Sequence, residues 1–218
     1  KTTTTALTGE IFKNAGKRTY VLGNIGMPIC EHSLETKKGD IIVAETAALQ
    51  LETIDTFRPR AAALLNVTED HLNRFGTMEY YTACKMRMFE NMTSDDFAIF
   101  NKDDELASKQ AKNINGPHFL WFSRKEEVEG AFVKDGRILF RYGDRQEDIC
   151  AVDDIFIPGA HNLENALAAV ALAMVMGIEP EVIAHTLKTF KGVEHRIEFV
   201  KTVNGVSFIN DSKGTNPD

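Results

Sequence analysis

The chain opens Lys1-Thr2-Thr3-Thr4-Thr5 and continues with apolar residues at helical spacing, Ala6, Leu7, Ile11, Phe12 and Ala15. A phosphate-binding loop ends in Gly-Lys-Ser/Thr and runs directly into a helix, because the lysine ammonium must reach the β- and γ-phosphates while the next hydroxyl ligates Mg²⁺. On this reading the chain begins at that lysine, and the glycines that would cradle the phosphates lie upstream in a longer protein. On these five residues alone, the reading competes with a Thr-rich N-cap on an ordinary surface helix.

Working outward, short apolar runs alternate with helical patterns. Residues 3–16 predict a helix ending near Gly16. Arg18-Thr19-Tyr20-Val21-Leu22 predicts a buried strand entering the turn Gly23-Asn24-Ile25-Gly26, and Asp40 to Glu45 predicts a second strand that delivers an acid at its C-terminal end. Ala61 to Asn66 and Phe97 to Phe100 are further strands, with a helix from Met78 to Phe89 between them. Runs of four to six apolar residues without a polar face belong to a parallel sheet covered on both sides, so the first hundred residues predict a doubly wound, mostly parallel α/β fold. Residues 117–157 read as a smaller, mostly antiparallel β portion, with Asp135-Gly136 as a hairpin turn. Helices follow from His161 to Met176 and from Pro180 to Phe190, then a hairpin around Asn204-Gly205. One ATP-binding-type domain is expected over 1–210, with 211–218 as a hinge into a further domain.

Composition excludes several classes. At 218 residues and 43% hydrophobic content the chain can bury a sizeable core. A net charge of −7 argues against a general nucleic-acid or membrane-surface binder while leaving room for a local basic site for a small anion. Three widely spaced cysteines, Cys30, Cys84 and Cys150, suggest reduced thiols in a cytoplasmic protein. No apolar run approaches the roughly 20 residues of a membrane span.

In a parallel sheet, ligands bind beside the C-terminal strand ends, so Glu45, Asn66 to His71 and the Gly23 to Gly26 turn should converge on Lys1 and Thr2. Glu45 is placed to hold Mg²⁺ with Thr2 as hydroxyl partner. His71 could cap a turn, sit in a polar core or bind metal. Lys85, in mid-helix, reads on its own as a surface lysine.

Taken together, Lys1-Thr2-Thr3-Thr4, Gly23-Asn24-Ile25-Gly26, Glu45, Gln50-Leu51-Glu52, Asn66 to Leu72, Lys85, Gly159 to Ala166, His195-Arg196 and Asn210 to Asn216 resemble the central ATPase domain of the Mur ligases. Within that family the pattern is most similar to the members that join D-glutamate to UDP-N-acetylmuramoyl-L-alanine in peptidoglycan synthesis. The resemblance implies ATP-dependent amide ligation through an acyl phosphate, with UDP-muramoyl-L-alanine and D-glutamate as substrates and flanking N- and C-terminal domains. It implies ATP contacts from Lys1, Thr2, Thr3, Asn162, Asn165, Arg196, Asp211, Lys213 and Thr215, and substrate contacts from Asn24, Gln50 and His71. Two Mg²⁺ sites would involve Thr2, Glu45, His71 and a carbamylated Lys85; Lys1, His71 and Lys85 would be the catalytic set. Thr46-Ala47-Ala48 departs from the family's usual Ser-Ser pair, removing two hydroxyls that could meet substrate. The alternatives are a Mur ligase adding another amino acid, a folylpolyglutamate synthase, or a nucleotide-dependent switch without ligase chemistry.

Overall fold

The computed structural model describes residues 1–214. Helix α1 (Thr2–Asn14) leads to β1 (Thr19–Gly23), the short turn α2 (Ile29–His32) and β2 (Ile41–Glu45). Then come α3 (Ala48–Leu51), β3 (Ala61–Leu64), α4 (Leu72–Phe75), α5 (Met78–Met86), β4 (Phe97–Asn101), α6 (Glu105–Ala111) and β5 (His118–Ser123). Strands β6 (Gly130–Lys134), β7 (Arg137–Tyr142) and β8 (Arg145–Ala151) follow, then α7 (Ala160–Val175), α8 (Pro180–Thr189) and the hairpin β9 (Glu198–Val203) and β10 (Val206–Asn210).

The main sheet has the order β3-β4-β5-β6-β7-β8. Its first three pairings are parallel and its last two antiparallel. The antiparallel portion is therefore smaller than expected, because the strand at Phe119 to Phe122 pairs parallel to β4 after a crossover through α6. The expected single parallel sheet is also divided. β1 and β2 pair only with each other, and among the described residues no ladder joins β2 to β3.

Alternation along the strands explains how both faces are covered. Ala62, Leu64, Ala98 and Phe100 face one core with Phe89, Met92 and Ala107, whereas Ile99, Leu120 and Phe122 face the other with Leu7, Ile11 and α7. The Ala-rich stretch of α7 from Ala166 to Ala171 is fully buried, since small side chains let this helix lie close against the sheet. Helix α1 is no surface helix: Thr2, Thr4, Thr5 and Thr8 are buried with Leu7 and Ile11. Gly9 permits this, because a Cβ there would stand 2.3 Å from Val21 Cγ2 of β1. The hairpin β9–β10 turns through Asn204 and Gly205, both at positive φ as the sequence predicts, and leaves Phe199, Val206 and Ile209 exposed.

Candidate functional site

Lys1 is the N-cap of α1, and the start of that helix meets the C-terminal end of β2. There a cavity of about 420 Å³ opens between β2 and β3, lined along both strands, from Ile41 to Thr46 and from Ala61 to Asn66. Lys1, Glu45 and Lys85 all line it. Of the five residues that the sequence reading brought into one pocket, Lys1, Glu45 and Lys85 line this crevice, and Thr2 and His71 do not.

Each arrives there for a local reason. β2 carries Glu45 as its last residue, at 3% exposure, and the β1 terminus packs against it in register, Gly23 opposite Glu45. Asn24 Nδ2 donates to Glu45 Oε1 at 2.9 Å, while Glu45 Oε2 is buried without a partner. Helix α5 starts at Thr77, whose hydroxyl accepts from Tyr80 N–H, and carries Lys85 to the cavity in its last turn with the ammonium 4.7 Å from the centre of the Tyr81 ring. Burial first, and the Lys1 charge second, lower the Lys85 pKa to about 8, with Asp70 and Asp104 opposing. Cations therefore crowd one crevice around a carboxylate with a free oxygen. Chemically this arrangement suits an oligophosphate together with a divalent cation.

Among the described residues no cluster of three His, Cys, Asp or Glu side chains could hold a metal by itself. Mg²⁺ does not require one, because it takes one or two carboxylates and completes its shell with phosphate oxygens and water. The orphaned Glu45 Oε2 is the fitting donor.

The other residues singled out in the sequence divide into two groups. Thr2 is buried and Thr3 half-buried in the first turn of α1. Asn165 and Asn162 lie in the first turns of α7, joined to α1 by a chain of hydrogen bonds. Thr4 Oγ1 donates to Asn165 Oδ1 at 2.8 Å, Asn165 Nδ2 to Asn162 Oδ1 at 3.2 Å, and Asn162 Nδ2 to the Pro158 carbonyl at 2.7 Å. Thr4 was quoted in the opening motif but given no role of its own, although its place three residues after Lys1, on the same helical face, was a usable signal. Arg196 is exposed in the segment between α8 and β9, its backbone N–H donating to the Val193 carbonyl at 3.2 Å.

His71 does not line the cavity. It adopts φ 55° at the start of α4, and its backbone N–H and Nε2 both face the Asp70 carboxylate. Gln50 is also outside, its Oε1 accepting from Ala47 N–H. Asp211 accepts from Ile197 N–H, and Lys213 N–H donates to the His195 carbonyl, so both tie down the base of the last hairpin. Thr215 lies outside the described residues.

Comparison with known proteins fits this geometry. The Mur ligase middle domain model matches residues 1–173. UDP-N-acetylmuramoylalanine–D-glutamate ligases are similar over the whole chain, at 53% identity in Alkaliphilus oremlandii, 52% in Thermoanaerobacter pseudethanolicus and 47% in Clostridioides difficile. The chain spans about half the length of these curated relatives, 48% in each case. Among solved structures, MurF from Acinetobacter baumannii superposes with a TM-score of 0.75 at 21% identity, covering 96% of this chain and 48% of that one. MurC from Thermotoga maritima gives 0.64 at 21% identity, covering 97% and 48%. At such identity these two likenesses speak for the fold alone. With its model match over most of its length and relatives half-identical throughout, the chain belongs to the Mur ligase family, as a middle domain.

Proposed function

We propose that the full-length protein joins D-glutamate to UDP-N-acetylmuramoyl-L-alanine at the expense of ATP, in cytoplasmic peptidoglycan synthesis, and that residues 1–210 form its ATP-binding domain with 211–218 as the hinge to a further one. The observation that carries the reading is the crevice where Lys1, Lys85 and the half-satisfied Glu45 meet. The identity to D-glutamate ligases supports the choice of amino acid.

In this reading a substrate carboxylate oxygen attacks the γ-phosphorus of ATP, forming a C–O–P linkage as the bond to ADP breaks. The amine of D-glutamate then attacks the acyl carbon, and the tetrahedral adduct expels inorganic phosphate as the nitrogen loses a proton. Lys1 neutralises charge on the γ-phosphoryl oxygens during transfer. Thr2 and Glu45 would hold Mg²⁺, and the ion would supply Lewis-acid charge stabilisation to the transferring phosphoryl group. Asn162, Asn165 and Arg196 bind the nucleotide, joined on closure by Asp211, Lys213 and Thr215. Gln50 and His71 would meet the muramoyl substrate, and His71 would offer an imidazole nitrogen to a second Mg²⁺.

Lys85 acts as a carbamate. With its pKa near 8, about a tenth of the side chain is neutral amine at pH 7, the form that adds CO₂ and releases a proton. The product is an anion suited to the second cation, which an ammonium would repel.

The test is phosphate release by the full-length enzyme with UDP-N-acetylmuramoyl-L-alanine and a panel of amino acids. D-Glutamate alone should support turnover, and Lys85→Ala should abolish it with partial rescue by a short carboxylate. Turnover with another amino acid would move the protein to another ligase, and hydrolysis indifferent to the muramoyl substrate would make it a nucleotide switch.

A further inference from the structure

The end of β1 grips the last residue of β2 at three points. Gly23, at φ 108°, lies so close to Glu45 that a Cβ would stand 2.3 Å from its carbonyl oxygen. That carbonyl accepts from Asn24 N–H at 2.8 Å, and the Asn24 side chain donates to Oε1 of the same residue at 2.9 Å. The turn is itself fixed, since Gly23 N–H donates to the Met27 carbonyl at 3.0 Å. A carboxylate can only accept, so the NH₂ end of the Asn24 amide must face it. One oxygen of Glu45 is thereby tied back to β1, while the other is left buried with nothing to bond. Leaving a buried acceptor unmet costs about 1–3 kcal/mol, and rotation of the side chain would exchange the two oxygens if nothing held them.

We propose that Asn24 is a positioning residue for the cation site: it holds Glu45 Oε1, so that Oε2 is the oxygen presented to the ion. This rests on the reading of the crevice as an Mg²⁺–nucleotide site, and it gives the Asn24 side chain a task distinct from touching the muramoyl substrate. The physical logic is that of any second partner behind a metal ligand, which fixes orientation and is worth about 10- to 100-fold in metal affinity.

The experiment titrates Mn²⁺ into the full-length protein with a non-hydrolysable ATP analogue, followed by electron paramagnetic resonance of the free ion. It compares wild type with Asn24→Ala, Asn24→Ser and Glu45→Gln, with metal-free thermal midpoints certifying that each variant folds. Either Asn24 variant should weaken Mn²⁺ binding about tenfold, with affinity for UDP-N-acetylmuramoyl-L-alanine, measured calorimetrically without metal, held within about twofold. Mn²⁺ affinity held within about twofold alongside a loss of muramoyl-substrate binding would overturn the proposal and make Asn24 a substrate contact. Should Glu45→Gln itself bind Mn²⁺ like wild type, the cation-site reading falls, whatever the Asn24 variants do.

Discussion

Lys85 is held in the folded protein at a cost, and replacing it by methionine should make the protein more stable while destroying its chemistry. The amine's pKa drops from 10.5 to about 8 on folding, mainly through burial. At 1.36 kcal/mol per unit that is about 3 kcal/mol as an upper bound. Residual solvent contact and the loss of the ammonium's attraction to the Tyr81 ring, about 0.5–1 kcal/mol, bring the expected gain for Lys85→Met to about 1–2 kcal/mol. At about 2–4 °C per kcal/mol for a domain of this size, the thermal midpoint should rise by about 2–8 °C at pH 7. The sign of the pH dependence follows from the direction of the shift. Between about pH 8 and 10.5 the unfolded chain holds the proton that the folded state has released, so wild-type stability rises with pH across that window. Below it the penalty is complete; above it the penalty is gone. The advantage of Lys85→Met should therefore shrink between pH 7 and pH 10. The assay is thermal unfolding of the full-length protein and its variant in CO₂-free buffer at both pH values, because the carbamate would mask the effect. A variant no more stable than wild type at pH 7, or one with an equal advantage at both pH values, refutes the reasoning.

Other perturbations follow from the same geometry. Gly9→Ala drives a methyl into Val21 and should cost about 1–3 kcal/mol, read as a lower unfolding midpoint, and adding Val21→Ala should recover part of the loss. Thr4→Val keeps the shape but removes the bond that fixes Asn165, and should raise the KM for ATP about threefold to tenfold in steady-state assays. Of the three thiols, only Cys30 is exposed, while burial first, then Asp154, pushes Cys150 up to about 11. Alkylation at pH 8 followed by peptide mapping should therefore label Cys30 in the native protein, and Cys84 and Cys150 only in denaturant.

Much of this architecture was legible locally. Apolar runs marked β1 to β5, and the Asp135-Gly136 and Asn204-Gly205 pairs marked hairpins, because each depends on neighbours in the chain. Helix α6 escaped for want of an apolar stripe, although Asp104, which accepts from Ala107 N–H, was a readable N-cap. Strand β8 escaped because Arg145 to Asp148 are polar edge residues. The meeting of Lys1 with Glu45 followed from the rule that strand ends converge. The bond from Asn24 to Glu45 did not, since it needs the parallel register of two strands whose partnership no local pattern encodes. His71 was read as part of the same centre; here it stands at the start of α4 with a left-handed backbone and its ring beside Asp70, a placement that no local pattern encodes.

The separation of β2 from β3 also bears on how the isolated domain would behave in a test tube. Each borders the cleft with an edge that no ladder covers among the described residues, beside apolar residues such as Val43 and Ala63. Bare edges of this kind recruit extended chain from any neighbour. Concentrated solutions of these 218 residues should therefore scatter light increasingly with time through strand-to-strand association, and a charge placed on the rim, as in Ile42→Lys, should slow it.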